Sequence, residues 1–184
     1  MANSDFYTAR VVTGPEVYRV WEETGHGLPN AELWGSAIEA GANDMIAARR
    51  AGRAVGYVTI RWGGPHEREP GFYDMVSKNY TDGLPPAVYA LYVDPDYRQQ
   101  GAGRALMQAV ERRVLEHPEA LDSVVLNVDT KNRAARELYE SMGYRILSSA
   151  GVEEFEIDAP PADAEMGEGP NYFRAIAMAK DLSR

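Results

Sequence analysis

The chain contains no cysteine. Disulfides, thiolate metal sites and a cysteine nucleophile are therefore excluded. Histidine is scarce: the chain has three, His26, His66 and His117, scattered along it. None forms the His-Glu-x-x-His pair of zinc hydrolases, so no metal is predicted. His117 precedes Pro118 at a helix end, where a cation favours the dipole, and reads as structural. There is no Gly-x-Ser-x-Gly elbow and no Gly-x4-Gly-Lys-[Ser/Thr] phosphate loop. No segment is apolar enough to span a bilayer, and the first residues lack a basic region followed by an apolar run. These absences predict a cytoplasmic protein with no membrane partner. Repeats and low-complexity tracts are absent too. At 184 residues the chain reads as one domain, residues 1–184, large enough for a full core.

Basic residues are outnumbered, and the net charge of −9 argues against nucleic acid as a partner. The deficit is uneven. Arg98 to Arg136 holds 7 basic and 5 acidic residues. A locally basic segment in an acidic chain suits an anionic cofactor at one place and a cationic partner at another.

That basic segment begins in the stretch around which the chain is organised. Val88 to Val93 is a short β-rich run. Asp94-Pro95-Asp96 stops it, because proline fixes φ and cannot donate to a ladder. Arg98-Gln99-Gln100-Gly101-Ala102-Gly103 then opens a helix marked by Leu106, Met107, Val110 and Val114 at helical spacing. Strand, glycine loop and helix together aim backbone N–H groups and a helix dipole at one point, which suits an anion such as phosphate. A dinucleotide turn needs a small residue where this chain has Leu106.

A second capped helix follows the apolar strand Val124–Val128. Asn132 is a good N-cap and Gly143 a good C-terminal stop. Asn132, Ala135, Arg136 and Tyr139 share one face, with Leu138 and Met142 expected on the core face.

Arg98-x-x-Gly101-x-Gly103 resembles the pyrophosphate loop of the GNAT superfamily of N-acetyltransferases. Asn132-x-x-Ala135-x-x-Leu138-Tyr139-Glu140-x-x-Gly143-Tyr144 resembles that superfamily's second motif. The resemblance covers about Val88 to Tyr144. It implies an α/β fold: a GNAT-like mixed, mostly antiparallel sheet with helices on both faces and a splayed central strand pair, Val88–Val93 and Val124–Val128. It implies acetyl-CoA as co-substrate. Leu91, Tyr92 and Val93 are then expected to hydrogen-bond the pantetheine through their backbone. The N–H groups of Gln99, Gln100, Gly101, Ala102, Gly103 and Arg104 are expected to hold the pyrophosphate, with Arg98 and Arg104 adding charge. Asn127, Asn132, Ala135 and Arg136 line the pantetheine arm, and Tyr139 protonates the leaving thiolate. A backbone N–H near Tyr92 or Val93 is expected to stabilise the oxyanion. A related group of these enzymes has Glu where this chain has Ala87. The general base therefore stays open among Glu67, Glu69, Asp74, Asp82, the acidic C-terminal insertion, or a water ordered by Asn127. Pairing of two copies through Ala175–Met178 is a further implication, giving a homodimer.

The rest of the chain is read from pattern. Phe6–Val12 is a strand, Pro15 starts a helix carrying Val17, Val20 and Trp21, and Gly25–Pro29 breaks it. A second helix, about Asn30 to Ala40, sets Leu33, Trp34, Ala37 and Ile38 on one face. Met45–Ala48 and Ala54–Trp62 form a hairpin across Arg50–Arg53. Residues 63–87 read as a long loop over the acceptor side, with one helical turn near Tyr73–Ser77. Phe72, Tyr73, Asp74 and Tyr80, together with Tyr89, are the expected acceptor contacts. Residues 150–170 form an acidic insertion, and Phe173–Leu182 is the last strand. The acidic bias and the aromatic loop favour a small cationic amine, such as an antibiotic or polyamine, as acceptor. Peptide or protein amines and a non-catalytic acyl-CoA-binding module are the alternatives.

Overall fold

A computed structural model describes residues 7–26, 31–119, 121–149, 151, 153–157 and 173–182. Packing divides the chain into two compact units, residues 1–62 with 88–120, and residues 63–87 with 121–184.

The first unit carries β1 (Thr8–Val12), α1 (Pro15–Thr24), α2 (Ala31–Glu39), β2 (Asn43–Arg50), β3 (Arg53–Arg61), β4 (Ala87–Val93) and α4 (Ala102–Leu115). Its strands run in the order β1-β2-β3-β4. β1 and β2 pair antiparallel from Thr8↔Arg49 to Val12↔Met45, and β2 and β3 from Asn43↔Arg61 to Arg50↔Arg53. The hairpin closes on Ala51 and Gly52 with φ of 50° and 85°, the double positive turn that matches the strand twist. A bulge between Ala48 and Arg49 shifts the register, so that Arg49 lies opposite Ala54 and Ala48 opposite Gly56. The carbonyl of Val55, the residue skipped between them, accepts the Asp94 N–H at 2.9 Å, anchoring the end of β4.

Alternation along β2 serves two layers. Met45 and Ala47 pack with Val12, Val17, Val20, Trp21, Ile38 and Tyr57 beneath α1 and α2. Ile46 and Ala48, equally buried, are left for the face covered by α4. Leu106, Met107, Val110 and Val114 of α4 are all fully buried, as their spacing predicts. Leu33 departs from expectation: it is 70% exposed, while Ile38 is buried and Trp34 half-buried, so the core stripe of α2 runs on one side of that residue. His117 is structural, its ring 4.4 Å from Trp62, which in turn lies under the Arg113 guanidinium. Arg113 is ion-paired to Asp44 at 2.6 Å.

The second unit carries α3 (Pro70–Asn79), β5 (Ser123–Asp129), α5 (Arg133–Ser141), β6 (Arg145–Ile146), β7 (Glu154–Ile157) and β8 (Phe173–Asp181). β8 is its centre. It pairs antiparallel with β5 from Ser123↔Asp181 to Asp129↔Ala175, with β6 at Arg145↔Ala179, and with β7 from Glu154↔Ile176 to Ile157↔Phe173. Both edges of Ala175–Met178 are thus taken within the chain. Dimerisation through that segment is corrected accordingly, because a strand with two partners has no free ladder groups to offer.

The 63–87 connection is also corrected. It holds a ten-residue helix, α3, in place of a loop with a single turn. Pro70 at its start and the apolar triplet Phe72, Met75, Val76 explain why it forms. α3 packs on β7 and β8 of its own unit. The approach is close: a Cβ on Gly71 would lie 2.8 Å from the Phe155 Cβ. Of the acidic insertion, Glu153, Glu154 and Glu156 are described, with Glu154 bonded to Arg174. Asp158, Asp163, Glu165 and Glu168 lie outside the described residues.

Candidate active site

The first unit builds the anion cradle from the end of β4 to the start of α4. Asp94 Oδ1 accepts the Asp96 N–H at 3.1 Å and starts a single 3-10 turn, Pro95–Tyr97. Arg98 turns back, its Nε donating to the Val93 carbonyl at 3.0 Å. Gln100 is held twice, donating to the Asp96 carbonyl at 2.7 Å and accepting from Arg50 at 2.9 Å. Gln99 has φ of 58° and Gly101 φ of 96°. Positive φ at alternate residues turns successive N–H groups inward as an anion nest. Gly101 is the N-cap of α4 and supplies no side-chain cap, so the first N–H groups of a fourteen-residue helix are offered to a ligand. Ala102 and Gly103 are the first two residues of that helix, with Arg104 next in its first turn. Such a helix start suits an anion.

β4 supplies the neighbouring backbone, and it is not a regular strand. Ala90 has φ of 51°, in the left-handed region that a non-glycine residue rarely enters. Strict alternation would send Tyr89 and Tyr92 to opposite faces. The kink resets the alternation, and both lie on the α1–α2 side. Tyr89 meets the Trp34 ring at 6.1 Å, while Ala90, Tyr92 and Trp34 pack against one cluster. Leu91, Tyr92 and Val93, the expected pantetheine contacts, follow the kink and are half-buried. The Thr59 hydroxyl donates to the Tyr89 carbonyl at 2.9 Å, pinning β4 just before the kink.

The second unit carries α5 and β5, on which the residues of the second motif lie. Asn132 caps α5 as expected, its Oδ1 accepting the Ala135 N–H at 3.1 Å. Ala135 and Arg136 are half-buried, and Arg136 reaches Glu140 at 3.6 Å. Tyr139 is buried in α5, and Met142 at its end is buried as expected, whereas Leu138 is only half-buried, so the core face runs through Tyr139 in place of Leu138. Tyr139 lies with its ring 5.8 Å from Tyr144. Burial pushes its hydroxyl well above the usual tyrosine pKa, so it keeps its proton throughout the working range. Asn127 is half-buried in β5, opposite Ala177.

The expected acceptor contacts of the second unit do not converge. Phe72 is fully buried and stacks on Phe155 with ring centroids 6.0 Å apart, so its role is packing. Asp74 is exposed and lies 3.9 Å from Lys78. Tyr73 is half-buried on α3. Burial raises the Tyr80 pKa, Asp181 and Asp122 add to the rise and Arg145 opposes it. Those groups mark the Ser123 end of β5, whereas Asn127 lies near the other end. Tyr80, an expected acceptor contact, is within electrostatic reach of groups at the Ser123 end of β5. Among the described residues no group of three or more His, Asp or Glu is placed to hold a metal ion, and no helix is long and apolar enough to cross a membrane.

Sequence reasoning missed one cluster in the first unit. His26 stacks on Tyr92 with centroids 3.9 Å apart and planes 10° from parallel, and its Nδ1 lies 2.8 Å from the Tyr57 hydroxyl. These residues come from the end of α1, from β3 and from β4, and no spacing in the chain signals that they meet.

Comparison with known proteins agrees with this geometry. The chain is 38% identical over 100 residues to the mycothiol acetyltransferase of Thermobispora bispora, an alignment covering 54% of this chain and 29% of that one. The chain thus spans under a third of the length of the curated relatives it matches. Its fold matches the ribosomal-protein-S18-alanine N-acetyltransferase from Escherichia coli, with a TM-score of 0.64 at 19% identity, covering 97% of this chain and 95% of the other. It matches Arabidopsis thaliana NAA60 in complex with acetyl-CoA equally well, with a TM-score of 0.64 at 18% identity, covering 96% and 98%. The family model described as "Acetyltransferase (GNAT) family" matches residues 15–144, and the chain belongs to that family.

Proposed function

We propose that the protein is an acetyl-CoA-dependent N-acetyltransferase that acetylates a primary amine of a small cationic molecule by direct attack. The observation that carries this reading is the nest at Gln99–Gly101 opening an uncapped α4 directly after a kinked β4. When bound, acetyl-CoA supplies an activated acyl group. The N–H groups of Gln99 to Arg104 hold its pyrophosphate, with the Arg98 and Arg104 charges beside them. The backbone of Leu91 to Val93 orients the pantetheine, and a donor N–H at Tyr92 or Val93 stabilises the oxyanion. Asn127, Asn132, Ala135 and Arg136 are assigned to the pantetheine arm and Tyr139 to protonation of the thiolate, by their places in the family's second motif.

Two observations bear on the acceptor. The relatives named mycothiol acetyltransferase support a small-molecule acceptor, mycothiol-type compounds included. A peptide acceptor is the second reading, favoured by 63–87 folding as a helix on β7 and β8 of its own unit and not as a long loop. Thiol release from acetyl-CoA separates the readings. One panel holds polyamines, aminoglycosides and mycothiol-type acceptors, and the other short peptides with varied N-termini. Release with the first panel alone is the expected result. Release with peptides alone replaces the small-molecule reading. No release from either panel, with acetyl-CoA bound, overturns the catalytic reading.

A further inference from the structure

The missing carboxylate at Ala87 leaves the acceptor ammonium without an assigned proton acceptor. We propose that His26 is the general base for the acceptor amine and that Tyr57 positions it. This rests on the N-acetyltransferase reading above.

The first argument is placement. The His26 ring lies flat on Tyr92 at 3.9 Å. Tyr92 is one of the β4 residues whose backbone is assigned to the thioester end of acetyl-CoA. The kink at Ala90 is what turns Tyr92, and Tyr89 beside it, toward this side of the sheet. On that assignment, an imidazole stacked on the Tyr92 ring belongs to the thioester end of the site.

The second argument is orientation. The Tyr57 hydroxyl lies 2.8 Å from Nδ1 and donates to the His26 carbonyl oxygen at 3.3 Å. A hydroxyl has one proton to give. As a general base the ring takes the tautomer in which Nδ1–H donates to the Tyr57 oxygen across the short contact. Nε2 is then the basic nitrogen of the ring. Tyr57 is fully buried, and desolvation with Tyr92 beside it raises its pKa, so it remains a neutral hydroxyl. Base plus buried orienting group is the arrangement that proton-transfer sites need.

The third argument is preorganisation. The two residues before the Gly25–His26 turn are held from several directions. Glu23 accepts from the Ala54 N–H and from Arg49, both at 2.8 Å. Arg53 donates to the Glu23 carbonyl at 2.9 Å. Thr24 donates to the Val20 carbonyl at 2.8 Å. Gly25 then takes φ of 65° and releases the chain at the imidazole. The titratable groups packed on the ring include Tyr57 on β3 and Tyr92 on β4. Glu23 on α1 is committed to Arg49.

The protons balance. Nε2 takes one proton from the acceptor ammonium and passes it to water. The free amine attacks the thioester carbon, the C–N bond forms and the C–S bond breaks. The second proton of the attacking nitrogen leaves with the collapse of the intermediate and is balanced by protonation of the thiolate.

The test is steady-state kinetics across pH with whichever amine the wild-type enzyme acetylates best. His26→Asn keeps a polar group toward Tyr57 and removes the base. It is expected to lower kcat/KM for the amine about 100-fold at neutral pH, to leave acetyl-CoA affinity unchanged, and to lose the acid limb of the pH profile. Tyr57→Phe, as a positioning change, should move that limb while leaving acetyl-CoA affinity alone. His26→Gln repeats the test should the first variant not fold. Wild-type kcat/KM with an unaltered acid limb in a folded His26 variant overturns the proposal. Failure of the wild-type enzyme on every amine overturns the N-acetyltransferase reading itself, and this assignment with it.

Discussion

A Cβ placed on Gly56 would lie 2.6 Å from the Tyr92 carbonyl oxygen and 3.2 Å from the Val93 Cα. Only a residue without a side chain lets β3 pass this close beneath β4. Gly56→Ala should therefore cost about 1–3 kcal/mol of stability by overpacking. It should also raise the KM for acetyl-CoA, because the displaced atoms belong to the backbone assigned to pantetheine. Thermal melts and acetyl-CoA titration read the two effects separately. A variant with unchanged melting and unchanged KM would refute the close-approach argument.

The kink at Ala90 makes an opposite kind of prediction. An alanine held at φ of 51° carries about 1 kcal/mol of strain that glycine does not. Ala90→Gly should be neutral or slightly stabilising in a denaturant melt, whereas Ala90→Val should be clearly destabilising. The reverse order would mean the kink is not a built feature.

At the cradle, Gly101 sits at φ of 96°. Gly101→Ala strains the nest and turns its N–H groups. Acetyl-CoA affinity should fall about tenfold, equivalent to about 1.4 kcal/mol, measured by calorimetry. Ala102→Gly, one residue on, should leave affinity within a factor of two while lowering stability.

Glu23 predicts an acid-sensitive clamp. Burial pushes its pKa up, but the Ala54 N–H and the Arg49 guanidinium pull harder, leaving it below the ordinary carboxylate value of 4.5. A depressed folded-state pKa contributes stability that is complete above the unfolded value and drains as pH falls through the folded one. Glu23→Gln should thus lower stability at pH 7 by about 1–2 kcal/mol, with the difference from wild type shrinking below pH 4.5. Urea melts at pH 7 and pH 3.5 check the sign.

Tyr139→Phe should lower kcat more than it changes acetyl-CoA affinity. Because burial holds the hydroxyl above its ordinary pKa, no basic limb from Tyr139 should appear in the rate profile below pH 10. Unaltered turnover in the variant would remove its assignment as proton donor.

Much of the cradle was legible in the chain because it is local. Arg98, Gly101 and Gly103 are neighbours, and Leu106 to Val114 mark the following helix by period alone. Asn132 announced its cap for the same reason. The readings that failed each needed a distant partner. Phe72 looked like an exposed loop aromatic until Phe155, far along the chain, covered it. The open edge of β8 was misjudged because strand order and register are set by pairing, which short-range pattern does not contain.

By itself the sequence determined the elements around the cradle, the Asn132 cap, the phosphate-loop motif and the family, because propensity, periodicity and motif spacing act over a few residues. Only the tertiary structure decided which way Tyr92 faces, what stacks on it, and where the acceptor aromatics lie. The kink at Ala90 and the meeting of His26, Tyr57 and Tyr92 arise from packing between elements remote in the chain, and that is settled by the whole core at once.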